Sequence, residues 1–401
     1  MTTYLIIGNG VAGNTAAETI RKIDPAGRIL IFTREKIPFY YVPALPEYLA
    51  GQRQVKDLVI HDETWYEKHR LELHLDTEIA GIDPAAKTVL TQKGETYRYD
   101  KLLLATGGVS FVPPIQGAQA DGVFTLRTMR DAAALKERAQ KSRDLVLIGG
   151  GLLGLEAGNG LRKLGLKVTV VEFSPRLLPR QMDVPGAALL QKQMEEMGFR
   201  FYLNAATKEI LPENGRLVVC LESGKRLTSD LVLISAGVRP ELTLAKSLGL
   251  AVDKGVQVDD AMRTGLQDIY AAGDLIEHRG RFYGIWPAAQ EQGRVAGAVM
   301  AGQDLKYEGT VPANKLKVVG IDLVAAGEID PEGKLESVVL QDEARYLYRK
   351  LIIQDKVLIG ALLLGDVRGS EEIQQAIRNR TDISALKEDL KDEHFDFTRI
   401  K

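Results

Sequence analysis

The 401-residue sequence contains one cysteine, Cys220. This excludes a redox dithiol and any cysteine-ligated zinc or iron–sulfur site built from this chain alone. Cys220 lies in the apolar, β-rich run Arg216–Leu221, which reads as the setting of a buried structural thiol rather than a reactive one. The five histidines, His61, His69, His74, His278 and His394, show no metal-ligand spacing, so no metal site is expected. An excess of charge is also missing. With 52 Lys and Arg against 54 Asp and Glu, the net charge is −2, which gives no electrostatic case for nucleic acid or an anionic membrane as partner. No apolar run approaches the roughly 20 residues of a membrane span. The N-terminus enters a strand almost at once, without the basic, apolar and cleavage segments of a secretory signal, so a cytoplasmic location is expected.

What is present points to several domains. The length exceeds one ordinary core. Strand-like and helix-like segments alternate through the first 240 residues, the pattern of parallel sheets in α/β folds. Strands are expected at Ile29–Phe32, Leu102–Ala105, Val168–Val171 and Leu231–Ile234, with helices after Gly10, near Glu47–Gly51 and over about Thr128–Gln140. Asp24–Gly27 reads as a turn, and Pro113-Pro114 breaks the chain after the first unit. From about Val311 strand-like runs cluster at Leu316–Val319, Ser337–Leu340, Arg345–Tyr348, Leu351–Ile353 and Val357–Leu362, as in a small α+β domain. The final segment, Lys387–Lys401, is charged, with Phe395, Phe397 and Ile400 among the charges, and reads first as a solvated tail, with docking on another surface as the alternative.

One signature occurs twice. The run Tyr4–Ile7 leads into Gly8-Asn-Gly10-Val11-Ala12-Gly13, and Leu145–Ile148 leads into Gly149-Gly-Gly151-Leu152-Leu153-Gly154. In such a turn the first glycine permits the bend. The second lets the backbone approach a pyrophosphate, and the third lets helix and strand pack closely. The helix N-terminus offers unpaired N–H groups to the phosphates. Each copy has a carboxylate at the end of the next strand, Glu35 and Glu172, placed to accept hydrogen bonds from adenosine ribose hydroxyls. A carboxylate at 172, followed by Phe173, Ser174 and Pro175, would repel a 2′-phosphate, so NADH is favoured over NADPH. Downstream, a strand near Tyr270 ends in Gly273-Asp274, which suits a carboxylate hydrogen-bonded to the ribityl chain of a flavin. The bland alternative is a helix N-cap. The Gly-Asp segment assigns FAD to the first copy and the nicotinamide nucleotide to the second.

With these residues in place, the chain resembles the pyridine nucleotide-disulfide oxidoreductase superfamily of FAD flavoproteins. More narrowly it is similar to the branch of NADH:rubredoxin oxidoreductase and the flavin-binding part of NADH-dependent nitrite reductase. Further markers are Leu104–Gly107, Leu177–Arg180, Ser235–Gly237 with Arg239-Pro240, and Trp286 to Gly293. The resemblance implies two Rossmann-like, three-layer domains with parallel sheets plus the small α+β domain. FAD would fall to residues 1–110 and 238–310, NAD(H) to 111–237, and the third domain with its charged tail to 311–401. It implies FAD contacts at Arg34, Ile79, Ala105, Thr106, Gly107, Trp286 and Ala289, beside those named above. The helix beginning near Pro287 would aim its N-terminus at the flavin ring. It implies NAD contacts at Phe173, Arg180 and Gly237, with Glu156 near the nicotinamide.

The sequence departs from that family in two places. The loop Pro38–Glu47 lacks the cysteine or cysteine pair that many members hold beside the flavin, so a thiol relay is excluded. Val42, before Pro43 near the flavin, stands where this branch usually has lysine or arginine. The implied activity is hydride transfer from NADH to FAD, with reacting atoms held about 3–3.5 Å apart. No general acid or base stands out for that step. Electrons would then leave to an external acceptor: a rubredoxin- or ferredoxin-like protein, or a metal-containing or iron–sulfur partner subunit. A homo-oligomer or a place in a hetero-complex is compatible with this. Two other readings are an NADH oxidase that reduces oxygen, and a redox-responsive interaction protein like apoptosis-inducing factor.

Overall fold

The computed structural model describes residues 1–310 and 313–400, with only the backbone described for 313–317. Apolar, β-branched segments build a first parallel sheet, in the order Ile269–Ala271, Lys101–Leu104, Thr3–Ile7, Arg28–Phe32, Leu71–His74. Its strands are buried almost throughout, as parallel strands covered on both faces must be. The helix Val11–Ile23 follows the first glycine turn, and Asp24 closes the turn after it by accepting from the Ala26 and Gly27 amides. A three-stranded antiparallel sheet, Ile79–Asp83, Thr88–Thr91 and Thr96–Arg98, joins this core by setting Tyr97 against Phe32 and His74.

The helix Trp286–Met300 returns along Val11–Ile23. Their approach depends on two glycines. A Cβ at Gly293 would stand 2.3 Å from the Ala12 carbonyl oxygen, and one at Gly297 would stand 2.5 Å from that of Ala16. Both N-termini therefore open at the same edge of the first sheet.

The second parallel sheet runs Arg200–Tyr202, Lys167–Val171, Asp144–Ile148, Leu231–Ile234, Val123–Phe124. Alternate side chains divide between its faces. Val146, Ile148, Val232 and Ile234 meet an antiparallel sheet of Thr207–Glu213, Arg216–Leu221 and Arg226–Ser229. Leu145, Leu147, Leu231 and Leu233 meet the helices Leu152–Lys163 and Val184–Glu196. Cys220 is buried in this antiparallel sheet. Between the two parallel sheets the chain crosses twice, and Gly108–Ser110 pairs antiparallel with Val238–Pro240.

The third domain is a five-stranded antiparallel sheet, ordered Ala313–Val318, Ile321–Gly327, Val357–Leu364, Leu347–Gln354, Glu336–Asp342, with the helix Ser370–Asn379 on one face. The runs Arg345–Tyr348 and Leu351–Ile353 are one strand rather than two. The strand Leu347–Gln354 is buried on both faces because both are covered. Leu351, Ile353 and Leu363 face the domain's own helix, whereas Tyr348, Leu362 and Leu364 enter a core shared with the second domain. The tail is not solvated. Leu390, Phe395, Phe397 and Ile400 are buried against the sheet and the helix. Buried Arg349 fixes the tail by donating to the Leu390 and Asp392 carbonyls at 2.9 and 2.6 Å, with its guanidinium over the Phe397 ring. Charge density hid three anchoring side chains spaced for packing.

A buried polar cluster joins the third domain to the second. Lys350, 3% exposed, lies 3.2 Å from carboxylate oxygens of both Asp183 and Asp330. Tyr348 donates to Asp183 at 2.6 Å, and Asp183 caps the helix Val184–Glu196 by accepting from Gly186. Removing the cation strands two buried carboxylates. Lys350→Met is expected to cost about 3–5 kcal/mol, read as a lowered urea midpoint for the transition that exposes the third domain. An unchanged midpoint would contradict this account of the cluster.

Candidate functional site

Two cavities of about 460 and 260 Å³ meet at the first glycine turn and share Gly10, Phe39, Val42, Ala105, Gly107 and Arg127. Volumes of this order are typical of cofactor sites. The larger also exposes Gly8, Asn9, Arg34, Glu35, Ile79 and Thr106. The smaller exposes Val11, Ala12, Pro43, Leu153, Gly273, Asp274 and Trp286. Of the residues expected around the first motif, Gly13 and Ala289 line neither cavity. A Cβ on Gly13 would strike the Gly8 carbonyl oxygen at 2.1 Å, and Ala289 is buried in its helix beneath Gly273.

The glycines of each turn divide into two kinds. A Cβ at Gly8 would fall 2.0 Å from the Ala105 carbonyl oxygen, and one at Gly149 would fall 2.2 Å from that of Ser235. Packing of the protein against itself demands glycine there. At Gly10 and Gly151 a Cβ would meet nothing within 4 Å. These two positions leave open space in front of bare backbone, at the N-caps of the helices Val11–Ile23 and Leu152–Lys163, neither of which has a side-chain cap. The helix Trp286–Met300 also lacks a side-chain cap, and its first residue lines the smaller cavity. Uncapped N-termini of this kind attract anions and electron-rich groups.

Charge is arranged along the joined cavities. Glu35 is half-buried at one end, and burial raises its carboxyl above the usual range against the pull of Arg130 and Arg34. Where the cavities meet, Arg127 donates to the Gly108 carbonyl at 3.0 Å and to Asp274 at 2.8 Å. Asp274 lies in a turn ahead of the strand Ile276–His278, so it is not a helix N-cap. Buried Gln292 holds that turn by accepting from the Gly273 amide at 2.9 Å. The smaller cavity is apolar at its other side, where Phe39 stacks on Trp286 at 5.7 Å and Tyr41 meets Trp286 edge-on.

The first turn is braced from behind. The Tyr66 hydroxyl lies 2.9 Å from the Asn9 side-chain oxygen and 2.7 Å from that of Asn14. The Asn14 amide group donates to the Asn9 oxygen at 2.8 Å and to the Asn9 and Gly10 carbonyls. Burial pushes the Tyr66 hydroxyl up to about 12, so it stays a donor at neutral pH.

The second motif gathers at the carboxyl edge of the second sheet. Glu172 is 8% exposed; one oxygen accepts from the Gly150 amide at 2.5 Å and the other from Ser174 at 2.7 Å. It holds the glycine loop as well as placing charge at the strand end. Gly154 packs on Gly149 and Ser235, Gly237 (φ +108°) faces open space, and Phe173 and Arg180 are exposed. Arg176 is committed to the Met182 and Pro179 carbonyls. Of the second-motif residues only Leu153 lines a described cavity; Leu152, its neighbour, sits at the same helix start. Glu156 accepts from the Val319 amide of the third domain at 2.5 Å, and burial raises its carboxyl.

Arg127, Asn14 and Tyr66 carry no motif that marks them, and Gln292 falls within the Trp286–Gly293 marker without a role read from it. The local signal at Arg127 is its place immediately before a capping box, Thr128 with Asp131, whose reciprocal bonds fix the chain there.

Residues 2–293 match the Pyridine nucleotide-disulphide oxidoreductase family, and residues 312–381 match the Rubredoxin NAD+ reductase C-terminal domain. The chain is 35% identical over 382 residues to Nitrite reductase [NAD(P)H] of Bacillus subtilis, covering 95% of this chain and 48% of that protein. It therefore spans about half the length of that relative. It is 30% identical over 377 residues to NADH-rubredoxin oxidoreductase of Clostridium acetobutylicum, covering 94% of each. The crystal structure of a ferredoxin reductase from Rhodopseudomonas palustris superposes with a TM-score of 0.89 at 25% identity, over 100% of this chain and 99% of that one. No helix among the described residues is long and apolar enough to cross a membrane. The chain belongs to the pyridine nucleotide-disulphide oxidoreductase family, whose members are oxidoreductases that use a flavin and NAD(H).

Proposed function

We propose that the chain is an NADH-dependent FAD oxidoreductase that delivers electrons to an external protein acceptor, either a small rubredoxin- or ferredoxin-like protein or a metal-containing partner subunit. The observation that carries the reading is the pair of glycines, Gly10 and Gly151, whose missing side chains leave space that no part of the protein uses. One opens on the joined cavities, the other on the edge of the second sheet. The residues of the first site fit FAD. The Gly8–Gly13 turn and Arg127 would hold the pyrophosphate and Glu35 the adenosine ribose. Asp274 would hold the ribityl chain, and the apolar space around Phe39, Val42, Pro43 and Trp286 would hold the ring. On this reading residues 1–110 and 238–310 form the FAD domain, 111–237 the nicotinamide domain and 311–401 the third domain.

Flavin, when bound, would supply the redox chemistry between NADH and the acceptor. The chain's residues position and shield. The Trp286–Met300 helix directs its uncapped N-terminus at the apolar cavity, and Phe39, Tyr41 and Trp286 wall it. Glu172 sets a fixed negative charge beside the second turn while Arg176 is turned into its own loop, which supports NADH over NADPH. A 2′-phosphate placed against that carboxylate would meet like charge, so kcat/KM for NADH is expected to exceed that for NADPH by about tenfold or more. The 48% coverage of the nitrite reductase relative leaves room for an acceptor built from other chain, and the end-to-end match to NADH-rubredoxin oxidoreductase supports a separate small protein.

The deciding experiment is anaerobic stopped-flow of the FAD-loaded chain with NADH, followed by rubredoxin or ferredoxin. Rapid flavin reduction and protein-acceptor-dependent NADH oxidation are expected. Turnover supported by oxygen alone and indifferent to any protein acceptor would instead make the chain an NADH oxidase. Reduction slower than about one per second, below the usual range of turnover, would favour a redox-responsive interaction protein.

Two substitutions test the site itself. Gly10→Ala adds a methyl that touches nothing in the protein but intrudes on the cofactor. FAD affinity should fall about tenfold while the apoprotein's thermal midpoint stays unchanged. Tyr66→Phe removes the shared donor from Asn9 and Asn14 and should weaken FAD binding about tenfold. Flavin fluorescence titration reads both, and an unaltered affinity in either variant contradicts the role given to that residue.

A further inference from the structure

Glu156 makes a contact that its motif does not announce. It lies on the helix Leu152–Lys163, three residues after Leu153, which lines the smaller cavity, and four before Gly160. A Cβ at Gly160 would stand 2.6 Å from the Pro46 carbonyl oxygen of the loop that walls the same cavity. Residues three and four apart share a helix face. Leu153, Glu156 and Gly160 therefore form one stripe facing the proposed flavin loop. Glu47 of that loop is close enough to act on the Glu156 carboxyl.

The group that does engage Glu156 belongs to the third domain. Val318 pairs with Ile321, so Val319-Gly320 is a two-residue hairpin turn. Val319 has φ +59° and Gly320 φ +87°. The first value is rare for a β-branched residue, and such backbone costs about 1–3 kcal/mol unless its surroundings hold it. Here two things hold it. The Val319 side chain is 4% exposed, packed in a core that also contains Leu45, Leu49 and Leu155. Its N–H donates to the Glu156 carboxylate at 2.5 Å. A relaxed turn residue, asparagine or glycine, would shape the hairpin at lower cost. The valine places an apolar plug and a directed N–H in the same spot.

We propose that the Val319-Gly320 turn is a positioning element for the nicotinamide site: the third domain, through the Val319 amide, sets the direction of Glu156 and so the seating of NADH against the flavin cavity. The proposal rests on the assignment of the second glycine motif to the nicotinamide nucleotide. It makes the third domain part of the hydride-transfer apparatus rather than only a cover on the second sheet. By linkage, a nucleotide that uses Glu156 and the turn that holds it must influence one another reciprocally.

The test compares Glu156→Ala, Val319→Gly, which keeps the positive-φ turn but removes the apolar plug that fixes the direction of its N–H, and the double variant, all in the full FAD-loaded chain. Each single variant should slow NADH reduction of the flavin or raise KM for NADH by up to about tenfold, with flavin content and reduction by dithionite unchanged. The double variant should lose no more than Glu156→Ala alone, because both act through the same contact. Additive losses, or a Glu156→Ala variant that matches the parent protein, overturn the proposal. A second measurement leaves the hairpin sequence intact. Hydrogen exchange of the peptide containing Val319 should accelerate in Glu156→Ala and stay protected in Glu156→Gln, whose amide oxygen still accepts. Equal exchange in all three proteins overturns it. Failure of the parent protein itself to be reduced by NADH would instead remove the underlying functional assignment.

Discussion

The site depends on how closely two helices approach. Val11–Ile23 and Trp286–Met300 come from segments far apart in sequence, and they meet where Gly293 and Gly297 bring backbone against Ala12 and Ala16. Side chains of ordinary size at these positions would drive the helices apart. Their N-termini would then no longer open side by side on the joined cavities. The first glycine turn, the Gly273-Asp274 turn and the aromatic wall at Trp286 are all placed by this contact. Gln292, one residue before Gly293, uses the same proximity to reach the Gly273 amide.

Local chemistry made part of this legible in the sequence. Glycine spacing between a strand and a helix is a short-range signal, and both turns stand where the spacing put them. So does the carboxylate at 172, because strand length fixes its place. The braces behind the turn were not legible. Tyr66 reaches Asn9 and Asn14 across more than fifty residues, and nothing near residue 66 announces that its hydroxyl will be buried beside the first turn. The contact that holds Glu156 was hidden for a similar reason. Its partner is a backbone N–H, which any residue carries, on a hairpin 163 positions away. The tail was read first as solvated because its charges are dense and its anchors sparse; Phe395, Phe397 and Ile400 pack into the domain's own core, and Arg349 beneath them donates to tail carbonyls.

The third domain shows how burial on two faces disguises a strand. Antiparallel strands usually alternate apolar and polar residues because one side meets water. Leu347–Gln354 does not, since its sheet lies between its own helix and the core of the second domain. Lys350 is buried in that strand, neutralised by Asp183 and Asp330. An ion pair without solvent gives little net stability, but it penalises any other seating of the domain, because a shift would leave one of the three charges unpaired. The domain is thereby held in one orientation, with its Val319 turn in the core that holds Leu45 and Leu49.

The paired crossing of Gly108–Ser110 with Val238–Pro240 also bears on the order of assembly. The strand Ile269–Ala271 completes the first sheet beside Lys101–Leu104, and Lys101 there meets Asp268, 167 residues later in the chain. During synthesis the first domain must wait, with one sheet edge unpaired, while the whole second domain emerges. A long loop would make that closure slow and entropically costly. Because the inserted domain begins and ends at one short ladder, its own folding brings residues 110 and 238 together. The late strand is then delivered to its neighbour almost as if the insertion were absent.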